Sequence, residues 1–163
     1  MIARIATVLL ILSMYSCYSF KGISIPATAE YFFVEDFGIS VRNAPSDINQ
    51  RFAEALRRKV INESRLKYSE ANADLVFSGN IIGYNVNSIA PEEGNTTALN
   101  RLEIRVKVDF TNVDNPDEDW SNNFSFFQDY DSNADLQSLE DGLVVTIFTQ
   151  LVEDVFNKAF TNW

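Results

Sequence analysis

Hydrophobic and polar residues alternate most clearly over Leu99–Val113. Leu102, Ile104, Val106, Val108 and Phe110 interleave with Arg101, Glu103, Arg105, Lys107 and Asp109. A period of two places the first set on one face and the second on the other, as in a half-buried antiparallel strand. The same rule predicts strands over Ala73–Ile89 and Trp120–Tyr130, and over Glu30–Val41 with a break near Gly38. Within Ala73–Ile89 the phase changes: Leu75, Phe77 and Ile81 share one parity, and Ile82, Tyr84 and Val86 the other. This predicts a bulge at Gly79–Ile82, with Gly83 easing a bend.

Two stretches carry a helical period instead. Over Asp47–Glu63 the apolar positions Ile48, Phe52, Ala55, Leu56 and Val60 recur at three- and four-residue steps. Pro45 disfavours helix before it and Ser46 is positioned to cap it. Arg57, Arg58 and Lys59 complement its C-terminal dipole, with a phosphate patch as the alternative. After Asp131–Asp135 comes the longest apolar stripe, Leu136, Leu139, Leu143, Ile147, Leu151, Val155 and Phe156, widened by Val144, Phe148, Val152 and Phe160. So broad a stripe is expected to face a partner as well as its own sheet. Turns are expected at Pro91–Asn95 and Asp114–Asp119. The resulting order, β-α-β-β-β-α, predicts an α+β two-layer sandwich: a four-stranded, mostly antiparallel sheet with both helices on one face.

The first residues follow neither pattern. Arg4 is a positive n-region, Ile5–Leu12 an apolar run, and Ser16-Cys17 a small residue before the only cysteine. The run is too short to cross a hydrocarbon core of about 30 Å as a helix, so residues 1–16 are expected to be a signal peptide. Cleavage there leaves Cys17 as the lipidation site, although Met14 and Tyr15 depart from the usual small or aliphatic choices. Residues 17–29 then form a lipidated tether and residues 30–163 a single domain.

Composition narrows the chemistry. The chain has 163 residues, a net charge of −10, no histidine and one cysteine. Thirteen phenylalanines mark a packed core. Acidity argues against a nucleic-acid partner, because phosphate contacts need clustered Lys and Arg. Without histidine or a second thiol, the common acid–base, nucleophile and zinc systems are excluded, and no cofactor is expected. Carboxylate or calcium chemistry remains.

Asp129, Asp131, Asn133 and Asp135, with Glu140 at the twelfth position, have the oxygen spacing of a calcium loop. Ala134 replaces the glycine of the sharp turn, and the segment before it reads as a strand; Asp131, Ser132 and Asn133 as helix caps, with Asp135 complementing the dipole, are the plainer reading. The acidic turn Asp114–Asp119 and the pair Glu92/Glu93 are weaker candidates for an ion or for hydrolysis. Three glycosylation patterns, at Asn62, Asn95 and Asn123, read as chance behind a bacterial-type signal. Arg101, Arg105 and Lys107 on the outward strand face are the one place where an anionic head group meets positive charge. Glu103 and Asp109 beside them make a salt-bridged solvated face the simpler reading.

Three segments carry a resemblance: Tyr18-Ser19-Phe20, Asn95-Thr-Thr-Ala-Leu-Asn-Arg-Leu102, and Leu151-Val-Glu-Asp-Val-Phe-Asn-Lys-Ala-Phe-Thr-Asn-Trp163. With the element order, they resemble the lipopolysaccharide-assembly lipoprotein (LptE) family, in the branch of Bacteroidetes-type bacteria. The resemblance implies a non-enzymatic lipoprotein on the periplasmic face of the outer membrane. It would plug the LptD β-barrel and support lipopolysaccharide delivery. It assigns no ligand residues. The alternative is a surface lipoprotein that binds a glycan or calcium and has no barrel partner.

Overall fold

A computed structural model describes residues 24–90 and 98–161. The signal segment, Cys17, the turn at Pro91–Asn95 with Glu92/Glu93, and the final Asn162-Trp163 lie outside the described residues.

The described elements run β1 (Tyr31–Val34), β2 (Gly38–Ile39), α1 (Ile48–Glu63), β3 (Lys67–Tyr68), β4 (Leu75–Ile89), β5 (Leu99–Asn112), a 3-10 turn (Pro116–Glu118), β6 (Trp120–Asp131) and α2 (Leu136–Phe160). The α+β class holds, but the sheet differs from the four-stranded, mostly antiparallel one expected. It has six strands, in the order β3-β1-β4-β5-β6, with β2 also pairing β4. Strands β1 and β2 run parallel to β4, and β3 runs parallel to β1. Only β4-β5-β6 form an antiparallel meander.

The connections explain the mixture. Helix α1 lies between β2 and β4 and carries the chain back to the end of the sheet from which β1 started, so neighbouring strands point the same way. Short turns join β5 to β6 and reverse direction. The first expected strand divides because Phe37 leaves the ladder and packs on Phe52, ring centroids 5.0 Å apart. Asn49 Nδ2 donates to the Phe37 carbonyl at 2.7 Å and fixes the break to α1. Strand β3, two residues long, is too short for its pattern to show in the sequence.

The bulge occurs where the phase change puts it. Ile81 pairs with Val106 and Gly83 with Arg105, leaving Ile82 without a partner. Leu75, Phe77 and Ile81 before it and Tyr84 after it therefore all reach the core. Gly79 sits where β5 comes close: with φ at 156°, a Cβ there would lie 2.0 Å from the Lys107 carbonyl oxygen.

Both helices cover the same sheet face and pack on each other, α1 over β1, β3 and β4, and α2 over β5 and β6. Phe52 links the layers, touching Phe37 and, at 5.2 Å between centroids, Phe148 of α2. A second aromatic group joins Phe77, Phe110 and Phe160 at 5.1–6.3 Å. The helix caps depart from expectation. At α1 the cap position is Asp47, not Ser46, and no side chain bonds there; the Ile48 N–H goes to the Pro45 carbonyl instead. At α2, Asp135 itself is the cap, accepting from the Ser138 N–H at 3.2 Å.

The expected tether is shorter in the fold. Ser24 N donates to the Phe160 carbonyl at 2.6 Å, Arg65 donates to the Pro26 carbonyl at 2.7 Å, and Ala29 is buried. Residues 24–29 therefore belong to the packed body. Phe52→Ala, which empties a fully buried site between Phe37 and Phe148 of α2, is expected to lower unfolding free energy by about 3–5 kcal/mol in denaturant titration.

Candidate docking surface

Because β5 alternates strictly, its charged set emerges together on the sheet face that carries neither helix. Leu102, Ile104, Val106 and Val108 are fully buried on the other side. The register sets Arg101 opposite Asp129, Glu103 opposite Phe127, Arg105 opposite Ser125 and Lys107 opposite Asn123 of β6. Across β4, Arg105 lies opposite Gly83 and Lys107 opposite Asn80. The result is a largely polar surface, with the Phe127 ring exposed among the charges.

The three basic residues predicted as ligand contacts stand side by side here, but in different states. Arg101 makes a two-pronged contact with Asp129, Nε to Oδ1 at 2.7 Å and Nη2 to Oδ2 at 2.9 Å. Its guanidinium also lies 3.6 Å from the centroid of Phe127. This planar clamp holds the Asp129 carboxyl below the usual carboxylate range. Lys107 pairs with Asp109 at 3.1 Å. The Asp109 carboxyl is lowered first by the Ser121 hydroxyl and then by Lys107. Arg105 makes no ion pair among the described residues; its side chain lies across Gly83, where a Cβ would meet Nε at 2.5 Å. Glycine thus lets Arg105 lie flat with its charge available. The pairing of Arg105 with a glycine across the ladder depends on the bulge, and no sequence pattern announces it.

The calcium-spaced residues are not gathered around one point. Asp129 is clamped by Arg101, Asp131 accepts from the Asn133 N–H at 2.8 Å, and Asp135 caps α2. Glu140 accepts the Tyr84 hydroxyl, and burial followed by this bond pushes the tyrosine pKa up. Among the described residues, no group of three acidic, histidine or cysteine side chains could hold a metal. The acidic turn after β5 is likewise organised internally. Buried Asn112 donates to Glu118 at 2.8 Å, its backbone N–H donates to Asp119 at 2.8 Å, and its side-chain oxygen accepts from the N–H groups of Asp114 and Asn115.

The basic run of α1 is also spent on neighbours, and it lies one turn earlier than a C-terminal dipole contact requires. Arg57 and Arg58 pair with Glu54, and Arg57 lies 4.8 Å from the Tyr68 ring centroid. Lys59 bridges Glu63 and Glu153 of α2. Burial lowers the Lys59 pKa, but the two carboxylates outweigh it and the net direction is upward. Part of the α2 stripe stays outside the core: Leu139 is exposed, and so is Val145 beside the stripe, while burial on the inner face begins at Val144. No described helix is long and apolar enough to cross a membrane.

Comparison with known proteins adds two findings. Residues 35–159 match the family model described as LptE, lipopolysaccharide-assembly. The fold is shared with the hypothetical protein CT253 from Chlamydia trachomatis at a TM-score of 0.55 and 8% identity, covering 81% of this chain and 98% of that one. It is shared with a PelC dodecamer from Paraburkholderia phytofirmans (0.53, 15%, covering 86% and 95%). It is shared also with a minor lipoprotein from Acinetobacter baumannii (0.53, 9%, covering 80% and 91%). At such identities the likeness concerns the fold alone. No curated protein matches the sequence.

The Arg101–Asp129 clamp gives a pH signature. A carboxyl whose folded pKa is depressed contributes stability above its unfolded value, near 3.9. That contribution is lost as pH falls through the lower folded value. Carboxyl NMR titration is expected to place Asp129 below the ordinary range, and Arg101→Ser to return it upward; an unchanged titration would show that the clamp does not persist in solution.

Proposed function

The chain belongs to the LptE lipopolysaccharide-assembly family, whose model spans β2 to the last turn of α2, and from this we propose that it partners the LptD β-barrel and supports lipopolysaccharide transport to the outer membrane. The family match is the observation that carries the reading. The family is non-enzymatic. The carboxylates Asp129, Asp135 and Glu140 serve an ion pair, a helix cap and a bond from the Tyr84 hydroxyl.

In this reading the protein is a single compact module, held at the periplasmic face of the outer membrane by acyl chains on Cys17. Each buried CH₂ contributes roughly 0.8 kcal/mol, so two or more chains give stable anchoring. The described body begins at Ser24, which leaves only a short span between lipid and sheet. That span keeps the module close to a barrel in the same membrane and raises its effective concentration there.

Docking uses the open sheet face. A rigid, hydrogen-bonded surface with its charges set by register suits a partner wall better than a small ligand. Arg101, Arg105 and Lys107 contact lipid A phosphates or acidic barrel residues, and Arg105, which has no ion pair among the described residues and lies over Gly83, is the first of them to engage. Arg101 and Lys107 must leave or share their carboxylates, which costs more for the two-pronged Arg101.

Depletion in the native cell tests this. Loss of the protein is expected to reduce folded LptD and surface lipopolysaccharide together, and re-expression of the wild-type chain to restore both. The variant carrying Arg101→Ser, Arg105→Ser and Lys107→Ser is expected to fold but to restore neither fully. Undisturbed lipopolysaccharide on depletion contradicts the function; full restoration by the triple variant removes the basic face from the mechanism.

A further inference from the structure

Strand β6 forms one edge of the described sheet, and no other described strand pairs with its outer side. It pairs with β5 residue for residue from Trp120–Phe110 to Asp131–Leu99, with no bulge. It contains no proline, lysine or arginine. These are the devices with which proteins blunt an edge, and the opposite edge, β3, is blunted by being two residues long. Alternate residues of the twelve in β6 therefore turn their N–H and C=O groups away from β5, a row that another extended backbone can pair along its length.

A groove runs beside this edge. It has a volume of about 410 Å³ and lies between β6 and α2, lined by Phe126, Gln128, Val145, Thr146, Thr149 and Gln150. Phe126 and Gln128 are alternate residues of β6 on the helix-bearing face, and Val145, 60% exposed, is the apolar wall opposite. An edge strand flanked by a helix groove is the arrangement for strand addition: main-chain bonds hold the incoming segment, and its alternate side chains enter the groove.

Charge selects among occupants. Every charged residue of β6, and every one of α2 before Lys158, is acidic. Asp131 at the strand end and Asp154 on the helix have no cationic partner among the described residues. A second copy of a chain with net charge −10 would bring the same carboxylates to this edge.

We propose that the β6–α2 groove binds an extended segment of another polypeptide by strand addition, with apolar residues at alternate positions and Lys or Arg at its ends. The antiparallel direction is favoured, since it continues the β4-β5-β6 meander. The site is separate from the open sheet face and stands whether or not the partner is the barrel.

The probe is a fluorescent peptide, Lys-Val-Thr-Val-Thr-Val-Lys, titrated against the full-length chain in detergent micelles and followed by anisotropy. Saturable binding is expected, with slowed hydrogen exchange of β6 amides. At least about a tenfold loss of affinity is expected for Val145→Glu, for Thr149→Glu, for a peptide methylated on alternate backbone nitrogens, and for one with Glu at both ends. Both substituted positions are exposed, so the fold is retained, and circular dichroism verifies it. No saturable binding at millimolar peptide overturns the proposal, as does equal binding of the methylated peptide or of both variants. Self-association of the wild-type chain that Val145→Glu abolishes assigns the groove to a second copy and overturns the stated occupant.

Discussion

The two-residue period of β5 is the constraint on which the molecule depends. Alternate residues of a strand must face opposite ways, so one segment serves two surfaces at once. Its apolar set, Leu102 to Phe110, is the floor on which the helices rest. Its charged set, Arg101 to Asp109, is the exposed face. A slip of one residue against β4 or β6 would exchange them, burying charge and exposing the floor. Core and candidate surface thus share one register.

That register tolerates one irregularity, and the surface uses it. Ile82 is an extra residue in β4, and beyond it Gly83 rather than a larger residue faces Arg105. The bulge keeps Tyr84 directed inward, where its hydroxyl meets Glu140 of α2, and it opens room for Arg105 on the outside. Gly79 accommodates the close approach of β5 on the other side of the irregularity. Packing and presentation of charge are solved in the same short stretch of β4.

Legibility in the sequence follows the length of each pattern. The alternation of β5, the phase change in β4 and the stripe of α1 were readable because each repeats several times within one element. Strand β3 and the split of the first strand were not, since two residues carry no period and the Phe37 detour is a tertiary contact with Phe52. Parallel pairing of β1 and β2 with β4 is implicit in the helix that follows them, and the expectation of a mostly antiparallel sheet gave that connection too little weight. Charged side chains showed their positions and not their partners. Arg101 and Asp129 are 28 residues apart in the chain, so nothing local marked Asp129 as a clamped carboxylate rather than a calcium ligand.

The molecule is a member of a lipopolysaccharide-assembly family; its open sheet face is charged by register and its long helix keeps apolar residues outside the core. Affinity purification of the full-length chain from the outer membrane of its own cell, without cross-linking, measures the proposed partnership directly. Co-purification of a large β-barrel in constant ratio is the predicted result; a chain recovered reproducibly without any barrel would contradict it.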